Sequence, residues 1–288
     1  MELKTPKTFD EQIDILKNKN IDIDNIDECR NFLRQTNYYR FSAYYLPFKG
    51  ADGNCIVNTS FSKLRKIYEF DKRIRILILS VIEDIEIAMR TQIAYHHSHE
   101  YGAIGYMSPS SHNENHDHID FLNHINSCIN ENRNTLVVKH HMQKYDGNFP
   151  LWVIIEFFSI GMLSHFYRGL KTADKKIIAK NLFGFNASHF NMDSWVRCVT
   201  DLRNKCAHYA RLYYTSFPAI PKMPRGIDYE PTRRLFAQIY MLKFMYPNKD
   251  MWLQSFVTPL VTLIEEYDLY IDLKHIGFPV NWEELLTE

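Results

Sequence analysis

Residues 61–97 read FSKLRKIYEFDKRIRILILSVIEDIEIAMRTQIAYHH, without a glycine or a proline. Apolar side chains recur through this stretch at spacings of three and four residues, which is the period of one face of an α-helix. The recurring positions include Phe61, Leu64, Ile67, Tyr68, Leu77, Val81, Ile85 and Ala88. The pattern predicts one central core helix, or two helices in tandem, and with the low glycine and proline content it indicates an all-α protein.

The composition of the 288-residue chain is that of a globular protein. Apolar residues make up 45% of it, which excludes disordered and collagen-like classes. The 34 Lys and Arg balance the 34 Asp and Glu, so any site for a polyanion must be a local patch. Five cysteines without a C-x-x-C pair, and a start without an apolar signal core, predict a cytoplasmic protein with no membrane span.

The chain is predicted to divide into an N-terminal helical region, residues 1–60, and a helical domain, residues 61–288. Thr8 and Glu11 have the spacing of a capping box, which predicts the start of the first helix. Residues 101–145 are polar and are interpreted as an insertion, a loop followed by one or two exposed helices. Further helices are predicted near residues 150–170, 173–183, 190–214, 230–246 and 250–267.

Residues 195–212 read WVRCVTDLRNKCAHYARL and are the stretch with the clearest candidate chemistry. A helix continuing to residue 214 places six residues on one core-facing stripe: Trp195, Val199, Leu202, Cys206, Tyr209 and Tyr213. Asn204, His208 and Arg211 then lie roughly opposite, with Arg203 between the two stripes. The sequence therefore predicts an outward polar face, which needs a second surface to exclude water from it.

An arginine and a histidine presented without paired carboxylates suit the transesterification of RNA. Imidazole exchanges a proton near neutral pH, and guanidinium binds phosphate with a fork of donors. The ribose 2′-hydroxyl is the nucleophile, so neither a metal nor another cofactor is expected, and DNA is expected to be resistant. The pairs Arg90/His96 and Arg133/His140 have similar spacings and are interpreted as chance matches.

The pattern Arg203-x4-His208 resembles the R-x4-6-H motif of HEPN ribonucleases. Its context, Arg-Asn-x-x-Ala-His-x-x-Arg-Leu, resembles the Abi-like family (AbiD/AbiF type) of bacterial abortive-infection proteins. Similar blocks follow the family's order along nearly the whole chain: Asn37-Tyr-Tyr-Arg40 with Tyr44, Phe61 to Arg90 with Asp71 and Arg75, Pro150 to Glu156 with Trp152, and Gly277-Phe-Pro with Trp282.

This resemblance implies a HEPN-type helical bundle and an endoribonuclease of phage defence. His208 would be the general acid or base, Arg203 the phosphate clamp, and Asn204 the residue that orients one of them. Two motifs, one from each chain of a homodimer, would form a composite cleft. The resemblance also implies a structured small RNA as partner. Ala210 stands where some HEPN toxins have a tyrosine that a partner enzyme adenylylates, so that form of neutralisation is not expected.

Basic residues near the motif are candidate contacts for RNA. Eight basic and three acidic residues lie between Arg197 and Arg234, and Arg211, Lys205 and Arg197 are the candidates. A second basic run comprises Lys63, Arg65, Lys66, Lys72, Arg73 and Arg75. Each run is interpreted either as a polyanion-binding surface or as a solvated face.

Four residues are candidate supports of the motif. Glu83, Glu86 and Arg90 share one helix face, either as a network that orients the catalytic arginine or as a structural salt bridge between helices. Glu156 either braces the motif helix or forms an ordinary cap or ion pair.

The stretch around residues 112–118 is rich in histidine, a residue type that zinc accepts as ligand. Without cysteine partners or an HExxH frame, His112, His116 and His118 are interpreted as part of a solvated loop, and no metal site is predicted.

Two other functions are compatible with the sequence. One is a non-cleaving RNA-binding protein that keeps the HEPN fold as a scaffold for a small RNA. The other is a protein-binding module without RNA. The first uses the same basic surface as the nuclease, so the residues alone do not separate the two.

Overall fold

The computed structural model describes residues 3, 5–51, 53–56, 59–183 and 188–288, and these form an all-α fold, as predicted. The described residues form no β-strand, only three isolated bridges. Their α-helices are α1 (Phe9–Lys17), α2 (Ile26–Gln35), α3 (Tyr38–Ser42), α4 (Phe61–Tyr101), α5 (His118–Glu131), α6 (Leu136–Lys144), α7 (Leu151–Ile154), α8 (Ile160–Gly169), α9 (Thr172–Phe183), α10 (His189–Ala207), α11 (Leu235–Met245), α12 (Thr258–Tyr267) and α13 (Trp282–Thr287). Short 3₁₀ turns span Ala43–Phe48, Gly105–Met107, Pro109–Ser111, Ile155–Phe157, Lys249–Met251 and Leu273–Ile276, and a π-helical turn spans Leu253–Val257.

The long apolar stretch forms one helix, α4, of 41 residues rather than two in tandem. Ser60 caps its start, because the Ser60 side chain accepts a hydrogen bond from the Lys63 backbone N–H. Gly102, with a φ of +83°, follows its last residue. Helices α7, α9, α10 and α12 all pack against α4, so this helix is the axis on which the other elements are placed.

The N-terminal helices join the same core as α4. The capping box of Thr8 and Glu11 forms as predicted at the start of α1. Phe32 of α2 packs edge-to-face against Phe41 and Tyr68, with ring centroids 4.9 and 5.5 Å apart. One continuous set of buried side chains therefore links the N-terminal helices to the first turns of α4.

The polar stretch after α4 consists of two 3₁₀ turns followed by α5 and α6, as the prediction of a loop and exposed helices requires. The expectation that its histidines lie in a solvated loop is wrong. His112 is only 5% exposed, and His116 and His118 are partly buried. The cause is Asn113, whose side chain donates hydrogen bonds to the carbonyls of Arg168 and Leu170 and so holds this loop against the end of α8.

None of the described helices is both long enough and apolar enough to cross a lipid bilayer.

The core packing of α4 leads to a matched pair of substitutions. Ile78 is fully buried on this helix, whereas Ile76, two residues earlier, is 58% exposed. We expect Ile78→Ala to lower the free energy of unfolding by about 2–5 kcal/mol, because it leaves a cavity. Ile76→Ala is expected to change it by less than about 0.5 kcal/mol. Urea denaturation monitored by circular dichroism measures both, and equal losses would contradict the assignment of the buried face.

Candidate active site

Helix α10 ends at Ala207, so the prediction of a helix continuing to residue 214 is wrong. Tyr209 has a φ of +58°, in the left-handed region. Its N–H donates to the Cys206 carbonyl at 3.1 Å, and the Ala210 N–H donates to the Lys205 carbonyl at 2.8 Å. These two bonds form a Schellman motif, which ends a helix. Glycine is the usual residue at this left-handed position. Because Tyr209 occupies the position here, the sequence pattern did not indicate the end of the helix.

The early end of α10 changes the predicted apolar stripe at one position. Trp195, Val199, Leu202, Cys206 and Tyr213 are buried as predicted, although Tyr213 lies beyond the helix. Tyr209 is instead 69% exposed, because the left-handed turn directs the chain away from the helical path. His208 is the C-cap residue and is exposed, so it faces away from the core as predicted.

Arg203 lies in the last turns of α10 and contacts α4. Its Nε lies 3.8 Å from one carboxylate oxygen of Glu86. The other carboxylate oxygen of Glu86 pairs with Arg90. Arg90 in turn donates hydrogen bonds to the carbonyls of Ile155 and Phe158, at 2.6 and 2.8 Å. Glu86 therefore takes part both in a structural ion pair and in the support of Arg203.

Glu83 is exposed and lines the same groove as Arg203, Glu86 and Arg90, which has a volume of about 390 Å³. Arg203 keeps 36% of its side chain exposed beside this groove. The exposed part of its guanidinium remains accessible to an anion.

A buried carboxylate fixes the backbone that follows His208. Asp71 of α4 is 0% exposed and accepts hydrogen bonds from the backbone N–H groups of Leu212 and Tyr213, the latter at 2.8 Å. Tyr44 donates its hydroxyl to the same carboxylate at 2.6 Å, and Arg75 pairs with it. Burial raises the pKa of Asp71, and these donors oppose that shift by favouring the ionised carboxylate.

Three arginines complete this attachment. Arg75 also donates to the Ala210 carbonyl at 3.2 Å, and Arg40 donates to the Tyr209 carbonyl. The prediction that Arg211 lies on the outward face is wrong, because its side chain is partly buried and its guanidinium donates to the Ala43 carbonyl of the N-terminal region. We call this set, Arg40, Tyr44, Asp71, Arg75 and Arg211, the clamp. Tyr209, Ala210, Leu212 and Tyr213 each form a backbone hydrogen bond with a clamp residue, and Arg211 belongs to the clamp itself.

The other predicted site residues are not brought together as closely. Asn204 is half-buried, and its backbone carbonyl accepts the His208 N–H at 2.9 Å. Lys205 lies 3.8 Å from Asp201, and Arg197 is exposed. Glu156 is exposed in a separate groove with Trp152, and no hydrogen bond joins it to α10 within the part of the chain that the structure describes.

The second basic run serves the fold instead of forming an open basic surface. Five of its contacts are ion pairs with acidic residues: Arg65–Glu28, Arg65–Glu69, Lys66–Glu69, Arg73–Glu266 and Arg75–Asp71. Of this run, Lys72 is exposed next to the buried Asp71.

Two further candidates in this region are excluded by their surroundings. The thiol of Cys206 lies inside the motif, but burial raises its pKa to about 12, so it stays protonated and is a poor nucleophile. His96 pairs with Asp174 at 2.8 Å, whereas Arg90 contacts Glu86 and the carbonyls of residues 155 and 158. The Arg90/His96 pair is therefore divided between two separate structural contacts.

The sequence analysis did not predict the clamp. It gave Arg211 as a candidate RNA contact and Arg75 as part of the second basic run, and four clamp residues lie in the blocks quoted for the family resemblance. The sequence signal for two of them, Asp71 and Arg75, is a charged residue at a position that belongs to the apolar face of α4. Asp71 and Arg75 lie four residues apart on α4 and occupy its buried face together with Ile67, Ile74 and Ile78. A buried opposite-charge pair at that spacing is uncommon and needs further partners.

Comparison with known proteins gives one match. A family model described as "Abi-like protein" matches residues 31–214, a span that contains the clamp, the groove and the motif. No curated protein and no solved structure matches the chain.

The clamp leads to a prediction on stability. Asp71→Asn removes the buried negative charge and leaves Arg75 unpaired, which we expect to lower the free energy of unfolding by about 3–5 kcal/mol. Lys72→Gln removes a charge from the neighbouring exposed position and is expected to change it by less than about 0.5 kcal/mol. Chemical denaturation of both variants gives the comparison. Equal stability of the two variants would show that the clamp contributes little.

Proposed function

The chain belongs to the family of Abi-like proteins, and from this premise we propose that it is a metal-independent, HEPN-type endoribonuclease of abortive infection, a form of phage defence. The observation that supports the proposal best is the placement of His208 and Arg203. The exposed His208 follows the last residue of α10, the partly exposed Arg203 lies on the preceding turns, and separate sets of contacts hold the two. This arrangement supports the assignment of a proton carrier and an anion binder to one end of the helix.

The proposed reaction is the internal transesterification of RNA. The ribose 2′-oxygen attacks the adjacent phosphorus, the bond from phosphorus to the 5′-oxygen breaks, and the products carry a 2′,3′-cyclic phosphate and a 5′-hydroxyl. One His208 accepts the proton of the 2′-hydroxyl, and a second donates a proton to the leaving oxygen. Arg203 stabilises the charge that develops on the phosphate oxygens. Asn204 orients the guanidinium or the imidazole.

A homodimer supplies the second histidine in this proposal. Each chain has one credible motif, and its imidazole is exposed in the single chain. Two copies that pair the ends of α10 cover these imidazoles and exclude water from the phosphate. The low dielectric constant of such a covered site strengthens the interaction of Arg203 with the phosphate.

The surface around His208 supports contact with single-stranded RNA. Tyr39 and Tyr209 are 86% and 69% exposed, and Arg40 connects them because it follows Tyr39 in sequence and donates to the Tyr209 carbonyl. Exposed aromatic rings stack on bases, and cations farther along α10, such as Arg197, bind the phosphate backbone. Arg211 points into the protein, so we assign it to positioning rather than to RNA contact.

A cytoplasmic location and a structured small RNA as partner belong to the same proposal.

Cleavage of a labelled RNA tests the proposal. The native protein is expected to cut RNA but not the matching DNA, to leave a 2′,3′-cyclic phosphate, and to keep its rate when EDTA is added. His208→Ala and Arg203→Ala are each expected to lower the rate by at least about 100-fold, because each removes a group that acts in the transition state. His189→Ala, at the other end of α10, is the matched control and is expected to cut like the native protein.

Three outcomes separate the proposal from its rivals. RNA that binds tightly and is not cut by the native protein would favour a scaffold for a small RNA. No RNA binding at all would favour a protein-binding module. Cleavage that survives both His208→Ala and Arg203→Ala would place the active site elsewhere.

The dimer is a separate expected outcome. Sedimentation velocity of the native protein is expected to show a species of twice the chain mass of 34.3 kDa, and the cleavage rate per chain is expected to fall on dilution below the dissociation constant. A monomer with full activity would contradict the composite site.

A further inference from the structure

The buried histidines of the polar insertion form a cluster apart from the motif. We call His112, His116 and His118 the histidine trio. Within the described residues, these three are the one group whose side chains have the composition and spacing of a metal site, with one ligand atom from each within 4.8 Å of the others. His112 and His116 precede α5 and His118 is its first residue, whereas Arg203 lies in α10 and His208 is the C-cap of that helix.

Each imidazole of the trio has one buried nitrogen without a hydrogen-bond partner. These atoms are Nε2 of His112, Nε2 of His116 and Nδ1 of His118. Buried polar atoms are almost always hydrogen-bonded, and an unpaired one costs about 1–3 kcal/mol. Three such atoms in one place therefore indicate a shared missing partner.

The partners of the other ring nitrogens show the kind of group that is missing. Nδ1 of His112 lies 3.2 Å from the Ser108 carbonyl and 2.9 Å from the Ser111 hydroxyl, which itself donates to that carbonyl. Nε2 of His118 lies 2.9 Å from the Met107 carbonyl. A carbonyl only accepts hydrogen bonds, so these two nitrogens carry the protons. The opposite nitrogens of both rings then direct lone pairs toward the centre of the trio. Backbone carbonyls hold metal-binding histidines in this same way.

We propose that the histidine trio binds a divalent transition-metal ion of the zinc class. Three neutral imidazoles are a ligand set that such ions accept, and zinc–nitrogen bonds of about 2.0–2.1 Å place neighbouring ligand atoms about 3.4 Å apart in a tetrahedral site. The trio needs to contract by about 1.5 Å or less from its 4.8 Å spread. Rotation of the His112 and His116 rings, now stacked with centroids 3.9 Å apart, supplies this movement.

The surroundings of the trio fit a bound ion. Phe121 and Phe166 pack against His112, with centroids 5.7 and 5.6 Å away, and give the site an apolar wall. His116 also lines a cleft of about 670 Å³, from which water or a small anion can reach the fourth coordination position. Gly169 at the end of α8 makes room for the His116 ring, because a Cβ there would collide with Nδ1. The ion therefore holds the loop to the first residue of α5, next to the end of α8.

Metal analysis of the purified full-length protein tests this proposal. Elemental analysis after purification without a metal-affinity tag is expected to find one zinc-class ion per chain. After removal of the ion, titration with Co²⁺ is expected to give the visible absorption of a tetrahedral site. Zn²⁺ is expected to raise the melting temperature of the metal-free protein.

Substitutions of single ligands give the sharper comparison. His118→Ala and His116→Ala are each expected to weaken Co²⁺ and Zn²⁺ binding by at least about 100-fold, because each removes one of three ligands. His124→Ala and His165→Ala change histidines that line the same cleft outside the trio, and they are expected to bind like the native protein. Gly169→Ala leaves all three ligands present but crowds His116, and is expected to weaken binding as well.

Three results would overturn the proposal. They are sub-stoichiometric metal in the native protein with no response to added Zn²⁺ or Co²⁺, equal binding by His118→Ala and His124→Ala, and loss of binding only in variants whose circular dichroism shows that they have unfolded. Because the measurements are of metal content and stability, they are independent of whether the protein cleaves RNA.

Discussion

The carboxylate of Asp71 is the contact on which the arrangement of the proposed active site depends. It lies fully buried in the first third of α4 and receives two backbone N–H groups, a tyrosine hydroxyl and a guanidinium. Only a charge with such strong acceptor oxygens satisfies all four donors at once. Through these bonds the chain leaves α10 in one direction, and the imidazole of His208 is held at the surface of the protein.

The helices could be predicted from the sequence where their faces differ most in polarity. The period of apolar residues located α4, and the buried positions of α10 were assigned correctly up to Cys206. The end of α10 was missed because Tyr209 adopts a backbone conformation that normally requires glycine. The contacts that join the segment from Tyr209 to Tyr213 to the rest of the protein connect residues 135 to 169 positions apart, and no local pattern reports such contacts.

Charge and residue type alone were weaker guides to the candidate site than burial and pairing. The basic run from residue 63 to 75 has a positive excess in sequence, yet four of its six side chains form ion pairs. Arg65 and Arg73 pair with acidic residues of α2 and α12, and Lys66 and Arg75 pair within α4. The histidine-rich loop has the composition of a solvated segment, but Asn113 holds it against α8 and buries its rings. In both places, contacts with other helices determine whether a polar side chain is exposed to solvent.

The separation between Asp71 and residues 212 and 213, 141 and 142 positions along the chain, has a consequence for synthesis. When α4 leaves the ribosome, the backbone that its buried carboxylate must bind has not yet been made. An incomplete chain that stops before this segment has no means of fixing the imidazole in place. The order of translation therefore delays the fixing of His208 until almost three quarters of the 288 residues have been made.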